Sequence, residues 1–344
     1  MDNFEEYIRQ GEPNKAEKAK VWKTAIGLQQ VDGLKPSEYL IATAKQNIEG
    51  DITIEDVKKL IDSYYKQRPT KTDKNRTEEA DENRTEEADK VSARIVEILN
   101  EQTFTFSPVE YLTIHHRLFQ GIYKQAGRIR DYNITKQEWL LDGETVLYGS
   151  AESLKATLEY DFEQEKQFRY KGLSQQETIE HIAHFISYLW QIHVFGEGNT
   201  RTTAIFLIKY LRKLGFKEVN NDLFAEHSRY FRNALVRANY EDLSKGIHKT
   251  NKYLIHFLSN LLLKDNNSLK NCEMYVHYID TVKSENDTVF SLINQNKTIT
   301  ATEISEQLNT SLSTVKRKIR KLKEQGIIER IGSDKTGYWK IIEN

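Results

Sequence analysis

The sequence predicts a mainly α-helical protein that ends in a small helix-turn-helix-wing unit. Segment after segment repeats its apolar residues at helical spacing. Only four prolines occur in 344 residues, which leaves long helices uninterrupted. From Cys272 onward, two short helical segments precede two β-prone runs around a glycine-bounded turn.

Composition narrows the class of function. Lys and Arg number 50 against 51 Asp and Glu, a net charge of −1. No global field therefore directs the chain to nucleic acid or to a membrane, and such a partner must meet a local patch. Hydrophobic residues at 38% and charged residues at 29% are those of a soluble protein. The single cysteine, Cys272, excludes an internal disulfide and a thiolate zinc cluster, and fits a reducing compartment. The acidic start, Met1-Asp2-Asn3-Phe4-Glu5-Glu6, lacks the apolar core of a secretory signal. The longest apolar run, Tyr253 to Leu263, is shorter than the ~20 residues of a membrane helix. The expectation is a cytoplasmic protein without a membrane partner.

In order, Pro36-Ser37-Glu38 opens a helix that runs to Ile48 and stops at Gly50, a left-handed cap. Thr53 caps the next helix, with Asp56 as the returning carboxylate and Val57, Leu60, Ile61 and Tyr64 on its apolar face. Asn75-Arg76-Thr77-Glu78-Glu79-Ala80-Asp81 then recurs as Asn83-Arg84-Thr85-Glu86-Glu87-Ala88-Asp89. With almost nothing apolar to bury, the repeat reads as an exposed connector or a solvated helix, with a binding tail as the functional alternative. Helical spacing resumes at Val91, and Ser107-Pro108 opens a helix through Leu118. That helix carries His115 and His116, read as packing or surface residues. Asp142-Gly143, between Glu138–Leu141 and Glu144–Tyr148, predicts a β-hairpin. Long helices follow at Leu154–Phe168 and Ile179–Ile192. His181 and His184 stand one turn apart on the second, a spacing open to a metal but lacking a third ligand.

His193-Val194-Phe195-Gly196-Glu197-Gly198-Asn199-Thr200-Arg201 joins that helix to the next, Ala204 to Leu214. A helix starting near Thr200 presents free N–H groups and a positive dipole end, a natural anion site. Gly198 lets the backbone approach a phosphate, and Arg201 can fork onto its oxygens. Glu197 offers one hard oxygen ligand to Mg²⁺. His193 can deprotonate a hydroxyl near neutral pH. Together these residue types describe nucleotidyl or phosphoryl transfer by in-line attack on a phosphate.

This stretch resembles the signature of the Fic family, His-x-Phe-x-(Asp/Glu)-Gly-Asn-x-Arg-x-x-Arg. The resemblance spans roughly residues 110 to 240. It implies a mainly α fold: a Fic-type helical core with a β-hairpin flap, here Glu138 to Tyr148, that aligns a target segment. It also implies transfer of AMP from ATP to a Ser, Thr or Tyr hydroxyl of a target protein. By resemblance His193 is the base, Glu197 the Mg²⁺ ligand, and Gly198, Asn199 and Arg201 the anion hole, with Thr200 among the nucleotide-binding residues. Tyr230 and Asn233 are candidates for the nucleoside pocket. Lys45-Gln46-Asn47-Ile48-Glu49-Gly50 resembles the family's inhibitory motif, which makes Glu49 the inhibitory residue. Two positions depart from the pattern: Lys45 stands for the motif's Ser/Thr, and Ala204 for its final Arg. The second departure removes a γ-phosphate contact and the expected partner of Glu49, so Glu49 is expected to restrain activity only weakly. It also leaves open the transfer of another nucleotidyl or phosphoryl group.

The C-terminal unit, residues 272–344, reads as a winged helix. Thr300–Leu308 is one helix, Ser313 caps a second to Gln325, and Ile327–Ile331 and Tyr338–Ile342 flank the wing turn. Lys316, Arg317, Lys318, Arg320 and Lys321 make the second helix a basic face suited to DNA phosphates, with a protein-contact module as the alternative. In a different class of function, the Fic core serves as a sensor for a DNA-binding regulator. Ahead of this unit the sequence divides into a helical region with the inhibitory-like helix and repeat connector (1–100) and the core (101–265). A homodimer is left open.

Overall fold

Ser37 accepts a hydrogen bond from the Leu40 N–H at the start of α3 (Glu38–Glu49), and Gly50 closes that helix at φ 93°. Thr53 and Asp56 exchange reciprocal bonds at the start of α4 (Ile54–Gln67). Ser107, followed by Pro108, caps α6 (Pro108–Phe119). Each such cap satisfies an orphan donor and contributes about 1 kcal/mol. The computed structural model describes residues 4–67, 76–216, 219, 222–277, 289–324, 328–332 and 337–341. It divides into two compact units, Met1–Met274 and Tyr275–Asn344.

In the first unit, α1 (Glu5–Gln10) and α2 (Pro13–Gly27) lead through a 3-10 turn, Leu28–Asp32, into α3 and α4. Next come α5 (Arg76–Asn100), α6, α7 (Leu154–Gln167), α8 (Gln175–Ile192), α9 (Asn199–Lys213), α10 (Asp222–Ala238) and α11 (Lys252–Leu263). The central element is α9. Every residue from Asn199 to Leu211 is buried, so the single apolar face of Ile205, Ile208 and Leu211 understates it. It packs on α5, α6, α8 and the Leu28–Asp32 turn, with Phe206 at the middle of a cluster of Phe106, Tyr111 and Phe162. α2 packs on α5 and α10, so the N-terminal helices share one body with the rest of the unit. A capping box of Ser174 and Glu177 starts α8 one turn before its first apolar residue, Ile179.

Two sequence expectations are corrected here. Of the two readings of the duplicated segment the helical one agrees with the structure, since from Arg76 it forms the first part of α5, but the helix is not solvated throughout: in the second copy Ala88 and Asp89 are fully buried. Asp89 accepts from the Ser37 N–H and from the hydroxyls of Ser37 and Tyr65, polar contacts that a search for apolar residues does not register. The side chains of the first copy lie outside the described residues. Nor is Glu138–Tyr148 a β-hairpin. It contains a 3-10 turn, Trp139–Leu141, and reverses at Asp142 and Gly143, both left-handed, but forms no strand ladder. Its cross-turn bonds run from the Glu138 N–H to the Glu144 carbonyl and from the Gly143 N–H to the Glu138 carbonyl. The chain then departs to reach α8, as described below. Among the described residues no helix is long and apolar enough to cross a membrane.

In the second unit residues 289–295 (α12), α13 (Ala301–Gln307) and α14 (Leu312–Glu324) pack on an antiparallel pair, β1 (Ile328–Ile331) and β2 (Tyr338–Ile341). Val289, Ile293, Ile304, Val315, Ile319 and Leu322 form the core with Ile328 and Trp339. The Trp339 indole donates to the Ile299 carbonyl and locks the wing to the helices. The N-cap of α14 is Ser311, one residue before the helix, and not Ser313. The expected end of this helix at Gln325 and most of the wing turn lie outside the described residues.

Candidate active site

His193 ends α8 in the left-handed conformation, φ 53°, with its N–H donating to the Trp190 carbonyl. This non-glycine strain turns the imidazole back under the Tyr148 ring, 4.3 Å away, and against Trp190. The residue is 3% exposed, and among the described residues neither ring nitrogen has a hydrogen-bond partner. Desolvation, reinforced by the nearby charge of Lys136, drives its pKa well below the ordinary value, so the ring is neutral at physiological pH. A neutral imidazole with a free lone pair is the form that can accept a proton.

Arg130, whose importance nothing in the sequence sets apart from exposed Arg128, fixes this corner. Its Nε donates to the His193 carbonyl at 2.8 Å, and its terminal nitrogens donate to the Tyr132 and Gly149 carbonyls. The Glu138–Tyr148 segment is strapped at both ends. Gln191 donates to the Leu147 carbonyl, and Arg232 of α10 grips buried Glu138 with two 2.8 Å bonds.

Between α8 and α9 the loop is tightly built. Asn199 Oδ1 accepts from the Phe195 N–H and its Nδ2 donates to the Phe195 carbonyl, so its amide is occupied in closing the loop and unavailable to a nucleotide. Thr200 Oγ1 accepts from the Trp190 indole at 2.9 Å. What these residues leave for an anion is the backbone at the start of α9, where the first turn's N–H groups have no partner within the helix. Gly198 precedes them at φ 71°, and a Cβ there would lie 2.4 Å from the Phe119 ring. Gly198→Ala is therefore expected to lose about 1–3 kcal/mol in urea unfolding, through both strain and the clash.

His115, read from sequence as a packing or surface residue, buttresses the same loop. Its Nδ1 accepts from the Gly127 N–H at 2.8 Å, which assigns the proton to Nε2, and Nε2 donates to the Glu197 carbonyl at 3.1 Å. Its ring stacks on Phe195 at 3.6 Å. Burial pushes its pKa down to about 4. The unfolded chain binds this proton below about pH 6.5 and the folded chain only near pH 4. Stability therefore falls as pH drops between those values, by about 3 kcal/mol from this residue. Urea unfolding at pH 7 and pH 4.5 should show the loss, and His115→Gln should reduce it.

Arg201 is placed differently from expectation. It is 1% exposed, and its guanidinium is held in a carboxylate-rich pocket. Nη1 donates to Gln29 at 2.9 Å, Nη2 to Glu87 at 2.6 Å and to the Tyr123 hydroxyl at 3.0 Å, and Nε lies 2.8 Å from Asp32. The guanidinium also covers the Phe119 ring. Its partners come from the Leu28–Asp32 turn and from the second copy of the repeat.

Glu197 is exposed and has no side-chain partner among the described residues. As one open carboxylate beside the α9 N-terminus, it fits a Mg²⁺ whose other ligands are substrate phosphates and water. Ala204 is fully buried in α9. Asn233 donates to Asn271 at 2.7 Å, and among the described residues the buried Tyr230 hydroxyl has no hydrogen-bond partner and neither residue is joined to the loop by a hydrogen bond or ring contact. Glu49, the expected inhibitory residue, does not enter this site. It is exposed and paired at 2.6 Å with Lys15, which holds its carboxyl below the usual range. At the end of α3, where Gly50 turns the chain away, it faces α2 instead. In the second unit, Lys316, Arg317, Arg320 and Lys321 are exposed on α14, and Lys318 is half-buried.

Residues 105–211 match the family model described as Fic/DOC family, and residues 289–329 match the model described as Winged helix-turn-helix DNA-binding. The chain thus carries a Fic/DOC domain, whose matched stretch ends within α9, followed by a winged helix-turn-helix domain. Among solved structures it is similar to the N-terminal FIC domain of the Bep8 protein, a VirB-translocated effector from Bartonella sp. 1-1C. That match has 18% identity and a TM-score of 0.43, over 58% of this chain and 93% of that one. It is also similar to a Fic family protein from Desulfovibrio desulfuricans G20, at 13% identity and a TM-score of 0.42, over 100% of this chain and 93% of that one. No curated protein matches the chain.

Proposed function

We propose that the chain is a protein adenylyltransferase that moves AMP from ATP to a Ser, Thr or Tyr hydroxyl of a target protein. The observation that carries this reading is the neutral, unpartnered imidazole of His193, one loop away from an open helix N-terminus. His193 takes the proton of the acceptor hydroxyl. The hydroxyl oxygen attacks the α-phosphorus, the α–β bridging bond breaks, and pyrophosphate leaves with its electron pair. The N–H groups at the start of α9 receive phosphate oxygens, a role that falls to the backbone because the Arg201 guanidinium is already held. Glu197 would hold Mg²⁺, which when bound offsets the phosphate charge. Tyr148 covers His193, so the acceptor reaches the imidazole as the Glu138–Tyr148 segment shifts. Incubating the protein with α-labelled ATP tests the reading: label should move to protein, and Glu197→Ala should prevent it.

One observation favours a second reading. With the Arg201 guanidinium already held by Gln29 and Glu87 and alanine at position 204, neither motif position offers a free arginine to the tail of a triphosphate. A substrate with a different phosphate chain or base, or phosphoryl transfer, fits this arrangement as well. Parallel incubations with labelled UTP and γ-labelled ATP separate these cases.

The winged helix is proposed to bind DNA through α14, whose exposed basic residues suit backbone phosphates. Affinity for duplex DNA should fall steeply with salt. Lys316→Ala combined with Arg317→Ala should reduce the slope of log K against log salt by about 2, one per lost phosphate contact.

A further inference from the structure

The other end of α9 borders a cleft of about 1240 Å³ between α2, the end of α5 and the α9 C-terminus. It is lined by Lys18, Lys20, Lys209, Arg212 and Lys213, together with the aromatic residues Phe104 and Phe216. Two carboxylates oppose these charges. Both oxygens of Glu101 are already held by Arg117, which leaves Glu17.

Three of these cations are held by backbone carbonyls. Lys209 is 3% exposed, yet its ammonium donates only to the carbonyls of Ile98 and Glu101. Arg212 donates to the Leu99 carbonyl, and Lys18 to that of Asn47. Among the described residues none of these three has a carboxylate within ion-pair distance. Carbonyl dipoles at a helix end satisfy the donors without neutralising the charge. Desolvation accordingly lowers the pKa of both Lys209 and Arg212. Lys20 and Lys213 are exposed at the rim, without partners among the described residues.

We propose that this cleft binds a nucleoside phosphate, its phosphates on the lysine and arginine wall and its base against Phe104 or Phe216. The volume exceeds the 300–1,000 Å³ usual for small-ligand sites, and base–aromatic stacking tolerates any base. Ten residues of α9, Asn199 to Ile208, about 15 Å of helix, separate this cleft from the loop that carries His193, so the site is distinct from the catalytic one. It stands whether or not the adenylyl transfer does.

The same chemistry arrives on a free nucleotide or on a single strand of nucleic acid. The full chain is therefore titrated with inorganic tripolyphosphate, ATP and hexathymidylate, all without Mg²⁺. Binding is read by hydrogen exchange of segments 98–104 and 209–216, which keeps it separate from binding at α14. The expected result is protection of both segments, lost on Lys20→Glu combined with Lys213→Glu, with at least tenfold weaker binding. Both substitutions lie on the surface and leave the fold intact. Protection by ATP or tripolyphosphate identifies a free nucleotide as the source, and protection by the oligonucleotide alone identifies a strand. No protection by any of the three, or protection that survives the charge reversal, overturns the proposal.

Discussion

Replacing Arg201 by alanine is expected to lower the stability of the first unit by about 3–5 kcal/mol, the cost of leaving buried charges unpaired. The guanidinium joins three elements far apart in sequence: α9, the Leu28–Asp32 turn and α5. Removing it leaves Glu87 half-buried beside Gln29 with no cation, and opens a void against Phe119. Asp32 is the most exposed of the partners and rehydrates, so the loss comes chiefly from the Glu87 side. Arg201→Lys should recover only part of it, because an ammonium cannot fork onto two acceptors while facing a third. Urea unfolding measures the difference; a loss below about 1 kcal/mol would contradict the structural role assigned here. Any fall in activity of an Arg201 variant must accordingly be read against its fraction folded.

His193→Ala should behave in the opposite way. Transfer should fall by about a hundredfold to ten-thousandfold, the usual contribution of a positioned base. Stability should stay within about 1 kcal/mol of the native chain. Alanine gives up the ring packing on Tyr148 and Trp190, but it also removes two buried nitrogens that have no partners, and the two effects offset each other. Single-turnover labelling and urea unfolding of the same preparation check both halves. The pair of variants thus separates the two ends of the loop: Arg201 anchors the fold, and His193 is proposed to act on substrate.

Local chemistry was legible in the sequence where it is local in space. Ser37, Thr53 and Ser107 cap the helices they precede, Gly50 ends α3, and the loop from His193 to Gly198 lies between two helices as its glycines and flanking periodicity imply. Asp142-Gly143 does reverse the chain, but a turn signal cannot say whether the flanks pair with each other. Here Gln191, Arg130 and Arg232 bind the flanks instead. The orientation of Arg201 was hidden for a related reason. Its partners lie 114 and 172 residues away, one of them inside a repeat whose polarity resembles a solvated surface. His115 was hidden too, because a buttressing histidine and a packing histidine share the same helical spacing. Glu49 shows the converse: a short pattern before a glycine marks the end of a helix as readily as a regulatory residue, and its partner is Lys15.

AMP transfer through His193 is tested most directly by comparing α- and γ-labelled ATP on the native chain with Mg²⁺ and on His193→Ala. Adenylyl transfer predicts protein-bound label from the α position only, with pyrophosphate released and the variant blank. Label from the γ position, or α-label undiminished in the variant, would contradict it.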